Sequence, residues 1–203
     1  MSAAPETPEA PATRRTGEEL LAAVHAAALA EIAEHGLRGA SMDRIAKRAG
    51  TGKAALYRRW SNVRELGLDV FVTTMASAVP HSYPDTGHLR ADLMGSLTAF
   101  TQLLRGPLQT VLRELISESA HDPALVTEFR SRLADPMQAE LVAVLQRAMA
   151  RGEIPTQPVD PLVFELPDAI VLHRLLIYGE IIDDNTCANL VDRLVLPLLD
   201  YRA

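Results

Sequence analysis

The chain has 203 residues, 48% of them apolar and 23% charged, which is enough material for one fair-sized or two small domains that should fold unaided. Its one cysteine, Cys187, excludes an intramolecular disulfide and suits a reducing compartment. The net charge of −6 argues against a polyanionic partner, but its distribution reverses that: from Arg14 to Arg64 ten basic residues face five acidic ones, so a cationic part is joined to an acidic remainder.

The first segment, 1–13, is rich in Pro, Ala and Glu and is expected to be a disordered tail. It has neither the cationic nor the apolar part of a secretory signal, and no stretch reads as apolar for long enough to span a bilayer. The expectation is therefore a cytoplasmic protein with no membrane partner. Arg14 and Arg15 follow, and Thr16 with Glu19 forms a capping box that opens a helix. Leu21, Val24, Ala28 and Ile32 give this helix one apolar stripe, which ends at Gly36.

The most informative stretch runs from Ser41 to Trp60. Ser41 is a natural N-cap for a helix from Met42 to Ala49, Asp43 suits its positive end, and Gly50 can take the left-handed conformation of a sharp turn. A second short helix is expected over 53–60. Its Leu56 and Trp60 pack back on Ile45 and Ala49, leaving Lys53, Ala54, Ala55, Tyr57, Arg58 and Arg59 around the remaining surface. Two short helices crossing at a glycine turn, the second small at its start and cationic beyond, are what a helix entering a major groove requires.

Those residues resemble the N-terminal DNA-binding domain of the TetR (tetracycline repressor) family of bacterial regulators. The likeness rests on G-x-x-x-x-S-M-x-x-I-A from Gly36 to Ala46, A-G at 49–50, K-x-x-L-Y-R-R-W from Lys53 to Trp60, and N-x-x-E-L from Asn62 to Leu66. It implies DNA contacts from Ser41, Thr51, Gly52, Lys53, Ala54, Ala55, Tyr57, Arg58, Arg59, Asn62 and Arg64. Two positions depart from the family pattern. Gly52 replaces the usual serine and Val63 a common lysine, each removing one expected phosphate contact.

Asn62 and Glu65 form a second cap pattern, and the helix they start is expected to run to Val79 as the element joining a DNA-binding part, 14–66, to a second part, 67–203. After a break at 80–87 the pattern stays helical, with no strand-like alternation. Stripes run through Leu89, Leu93, Leu97, Phe100 and Leu104, and through Leu108, Val111, Leu112 and Leu115. Asp122–Pro123 and Asp160–Pro161 are cap-then-proline starts for two more helices, the first kinked by Pro136 and the second reaching about Tyr178; a last helix spans about 186–199. The fold class is thus all-α.

The second part resembles the ligand-binding half of the same family more weakly, through R-G-E-I at 151–154 and R-L-L-I-Y-G-E at 174–180. The resemblance implies a small-molecule effector, with Phe100, Leu104, Leu115, Phe129, Met137, His173 and Tyr178 as candidate contacts, and a homodimer built on the last two helices. Ile170, Leu175, Ile177, Ile181, Leu190, Leu194 and Leu198 supply its apolar surface. Aromatic residues make up only 4%, which weighs slightly against a pocket built from stacked rings for flat cations.

The six histidines show no metal-ligand spacing, and no nucleophile motif or phosphate-cradling loop is present, so no metal, cofactor or catalytic residue is expected. The reading is a dimeric repressor that leaves its double-stranded operator when a small molecule binds. A ligand-insensitive or activating regulator, and a helical interaction module with a degenerate DNA-binding motif, remain open beside it.

Overall fold

The computed structural model describes residues 17–78 and 84–201, apart from the side chains of Ala78 and Phe164. The expected tail, the Arg14–Arg15 pair, the Thr16 cap and much of the break after Val79 lie outside the described residues. Among those described there are only helices: α1 Gly17–Gly39, α2 Met42–Ala49, α3 Lys53–Tyr57, α4 Val63–Ala78, α5 Leu89–Leu103, α6 Leu108–Ser119, α7 Pro123–Phe129, α8 Asp135–Arg151, α9 Pro161–His173, α10 Asp184–Leu190 and α11 Leu196–Leu198.

Helix starts follow local chemistry. The Ser41 hydroxyl accepts from the Asp43 N–H at 3.2 Å, Asp122 accepts from Ala124 and Leu125, and Asp160 accepts from Leu162. Helix α3 is shorter than expected: it ends at Tyr57, and Arg58 to Trp60 complete it as a turn. Gly36 breaks α1 with φ 68, ψ 169, after which one more turn reaches Gly39. The Leu37 N–H freed by that break is taken by Glu114 of α6 at 2.9 Å.

Proline shapes the long helices. Wider π turns, Arg130–Ala134 and Val191–Val195, each precede a proline, Pro136 and Pro197. A proline has no N–H for the carbonyl four residues earlier and its ring collides with it, so a local change of ladder accommodates the missing donor without ending the helix.

Two hydrophobic cores result. The smaller one gathers Val24, Ala28, Ile45, Ala49, Leu56, Trp60, Leu66 and Val70 from α1 to α4. The larger one fills the remaining helices and also takes Ile32 and Leu37 of α1 and Leu68, Phe71 and Met75 of α4. Helix α4 therefore serves both cores from different faces, with Gly67 between them. A Cβ on Gly67 would sit 3.2 Å from Leu37 and 3.3 Å from Ile32, so this glycine allows α4 to approach α1 closely.

Helix α1 is long and apolar enough, by length and composition, to cross a membrane, contrary to the sequence expectation. Its apolar residues Val24, Ala27, Ala28 and Ile32 are buried inside the protein, and its Glu31, 1% exposed, holds Arg44 of α2. A lipid-facing helix would leave that carboxylate and its partner in hydrocarbon, so the burial pattern is that of a core wall.

Candidate nucleic-acid interface and effector cavity

Around α3 the packing sorts residues into two faces. Leu56 and Trp60 point inward, at 1% and 5% exposure, while Gly52, Lys53, Ala54, Tyr57, Arg58, Arg59 and Asn62 are exposed and Thr51 and Ala55 are partly so. Gly50 makes the turn at φ 67, ψ 37. Gly52 caps α3 with an ordinary extended conformation, no side-chain hydrogen bond, and open space where a Cβ would stand. A serine would fit there. Val63 is half-buried against both cores, so its apolar character serves packing.

The cations divide by what holds them. On α2, Arg44 pairs with the buried Glu31 and Arg48 pairs bidentately with Glu34 at 2.8 and 2.9 Å, which clips α2 to α1. Lys53 pairs with Asp43 across the turn. Arg59 lies over the Trp60 ring, 5.1 Å from its centroid. Lys47 and Arg58 have no ion pair among the described residues and are exposed, so they offer unopposed positive charge beside α3. Lys47 was not among the expected contacts, because sequence alone does not reveal that its neighbours Arg44 and Arg48 are occupied. Arg64, also among the expected contacts, has its guanidinium bound by Asp122, the N-cap of α7, which ties it to the second core.

Behind α3 lies a junction on Asp69 of α4. Its Oδ2 accepts the Trp60 indole N–H at 3.1 Å and stands 3.3 Å from His25 Nε2, while its Oδ1 accepts from Arg132 Nη2 at 2.5 Å. Burial works against the charge on Asp69, but the hydrogen bonds from Arg132 and Trp60 and the charge of Arg132 outweigh it, leaving the carboxyl below its usual range. Burial also lowers the His25 pKa, against the pull of Asp69, which favours a neutral ring near pH 7. Arg132 belongs to the π turn between α7 and α8.

That same turn borders a cavity of 510 Å³. Its walls include Phe71, Leu112, Phe129, Leu133, Met137 and Leu172. Of the expected ligand contacts, Phe100, Phe129 and Met137 line it. Leu104 and Leu115 do not; at 0% and 1% exposure they are sealed in the large core. His173 and Tyr178 lie on the outer surface, where their rings meet edge to face at 5.6 Å. The helical stripe that suggested them cannot distinguish a cavity wall from a filled core or an outer face. Three of the four phenylalanines gather at this cavity, with Phe71 and Phe129 stacked at 6.1 Å.

Of the residues expected at a dimer contact, Ile177, Leu194 and Leu198 are exposed at 67%, 42% and 56%. Leu175 and Leu190 are instead buried in their own subunit, and Ile170 and Ile181 are half-buried against its core. Leu162 and Leu176, not anticipated, are exposed as well. Glu31, Glu34 and His35 bring ligand-type atoms within 4.8 Å of one another, but both carboxylates already serve Arg44 and Arg48.

Nor is α4 the sole link between the cores. Leu37 to Glu114 and Arg38 to Glu118 at 2.5 Å join α1 directly to α6, beside the contacts that α4 itself makes through Arg64 to Asp122 and Asp69 to Arg132.

Comparison with known proteins places this geometry. Residues 25–70 match the family model described as bacterial regulatory proteins, tetR family, and residues 83–194 match the tetracyclin repressor-like C-terminal domain. The chain is 33% identical over 183 residues to a DNA-binding transcriptional repressor TetR of Mycobacteroides abscessus, covering 90% of this chain and 95% of that one. It is 30% identical to an HTH-type transcriptional regulator, YdeS, of Bacillus subtilis, covering 83% and 84%. Among solved structures, the TetR family transcription regulator SCO0332 superposes with a TM-score of 0.70 at 30% identity, over 91% of this chain and 99% of that one. FadR of Bacillus subtilis, solved in complex with stearoyl-CoA, shares the fold at a TM-score of 0.69 and 18% identity, over 90% and 99%.

Proposed function

Because the chain belongs to the TetR family and is a DNA-binding transcriptional regulator, we propose that it works in the cytoplasm as a homodimeric repressor whose grip on operator DNA is released by a small molecule in the 510 Å³ cavity. In this reading the region up to residue 66 reads DNA and the region from 67 binds effector and dimerises. Thr51, Gly52, Ala54, Ala55 and Tyr57 approach the major groove, and Lys47, Lys53, Arg58 and Asn62 meet phosphates. The exposed Ile177, Leu194 and Leu198 face supports the dimer, since two copies place two recognition helices on successive grooves. Helical regulators of this family act by binding, and no catalytic role is assigned.

The observation that carries the release mechanism is the Asp69 junction. One carboxylate touches the end of the DNA-reading turn through Trp60 and, through Arg132, the π turn whose Arg130, Leu133 and Ala134 line the cavity. A ligand that prefers a different setting of the Arg130–Ala134 turn pulls on Arg132, and the two recognition helices lose their match to the duplex. Only that difference in affinity between the two settings shifts the population.

The test is fluorescence anisotropy with the intergenic duplex beside the protein's own gene. The expected result is tight binding that an unrelated duplex of equal length does not compete away, with loss of binding in Leu172→Trp, which fills the cavity while leaving α3 untouched. Equal affinity for both duplexes would contradict the operator reading, and full operator binding by a folded Leu172→Trp would contradict release through the cavity.

A further inference from the structure

The large cavity adjoins a smaller one of 60 Å³, and the two share the walls Phe100, Met137, Leu141 and Asp168. Two polar groups on these walls are unspent among the described residues. Ser96, 8% exposed, has its Oγ buried with no hydrogen-bond partner. Asp168 of α9 has no ion pair or hydrogen bond among the described residues. The residue as a whole is exposed, yet the protein atoms crowded around its carboxyl push it up to about 6 through burial alone.

Charge in the joined space is one-sided. Asp135, Glu165 and Asp168 line it beside one guanidinium, Arg130, which stands 3.7 Å from Asp135. A carboxylate or phosphate head would add another negative charge to that set. A wholly apolar ligand would strip water from Asp168 and give nothing back, at the cost of an uncompensated ion.

We propose that the joined cavity takes a hydrophobic amine: its protonated nitrogen donates to Asp168 and to Ser96 Oγ, and its apolar body lies against Phe71, Phe100 and Phe129. This rests on the reading of the cavity as the effector site and specifies the chemistry of the effector. The head supplies the positive charge that Asp168 lacks and a donor for the Ser96 oxygen, and the low-dielectric walls strengthen both contacts. The phenylalanine rings add favourable faces for a cation within reach.

The experiment compares 4-phenylbutylamine, 4-phenylbutanol and 4-phenylbutyrate, which share one body and differ in the head. Binding is measured by titration calorimetry on the full chain, its Asp168→Asn and Ser96→Ala variants, each checked for native circular dichroism. Release of the operator duplex is followed in parallel. The amine should bind about tenfold tighter than the alcohol and the acid weakest; Asp168→Asn should erase the advantage of the amine while keeping the alcohol, and Ser96→Ala should cost the amine about threefold. An acid that binds as well as the amine, an amine unaffected by Asp168→Asn, or an amine that does not bind would each overturn the proposal. An alcohol that binds both proteins and releases DNA as well as the amine would overturn the amine chemistry and leave the effector site standing. An amine that needs Asp168 to bind but never releases DNA would uphold the amine site and contradict the cavity as the effector site.

Discussion

In the small core, buried charge is answered. Glu31 is 1% exposed and holds Arg44, and Asp69 collects the Trp60 N–H and Arg132 on two oxygens. In the large half, Asp168 and the Ser96 hydroxyl stand at a cavity wall without partners among the described residues, and Ile177, Leu194 and Leu198 lie bare on the outside. The difference teaches where each half expects its partner. A DNA-reading unit meets a rigid groove and gains from holding α3 fixed by internal bonds, whereas a sensing and dimerising unit leaves polar and apolar groups unsatisfied until a ligand or a second copy arrives.

The largest way to break this contrast is at the bare outer face. Leu194→Glu would bury an ion at each symmetric contact, so sedimentation should report monomers and operator affinity should collapse with loss of the second half-site. A surviving dimer would place the contact elsewhere on the surface.

The next is to make the small core unsatisfied. Asp69→Ala leaves the Trp60 N–H without an acceptor and Arg132 short of one anion, and urea unfolding should show a loss of about 2 kcal/mol. The folded mutant should still bind the duplex but release it poorly, because Trp60 and Arg132 no longer share a carboxylate. Normal release from the mutant would show that the signal passes through Leu37–Glu114 or Arg64–Asp122 instead.

A smaller effect sharpens the contrast from the other side. Folding raises the Asp168 carboxyl from 3.8 to about 6, so the folded state favours the protonated form; its contribution is fully present below 3.8 and is lost as pH rises through about 6. Asp168→Asn should therefore raise Tm above pH 6, with the gap from the parent closing toward pH 4. A constant gap across that range would mean the carboxyl titrates normally in the fold.

Much of the small domain was legible because its determinants are local. The Ser41 cap, the left-handed Gly50 and the inward Leu56 and Trp60 depend on residues a turn away, and both aspartate–proline starts appear where expected. Arg64 and Asp69 were beyond reach for the opposite reason: their partners Asp122 and Arg132 are about sixty residues distant, and a carboxylate on an amphipathic helix looks alike in sequence whether solvated or shared. The cavity failed similarly. Phe100 lines it and Leu104 is sealed in the core, four residues apart on one stripe, because what separates them is the space left between α7, α8 and α9. Pro136 foretold a disturbance, but only packing shows that it takes the form of a π turn carrying Arg132.

The central claim, that the exposed face of α3 grips DNA through charge the fold leaves unopposed, is tested most directly by the salt dependence of operator binding in Arg58→Ala. Arg58 is exposed and unpaired among the described residues, so its removal should spare stability, weaken binding several-fold for every sequence, and reduce the slope of log affinity against log salt by about 1. An unchanged affinity and an unchanged slope would contradict the account.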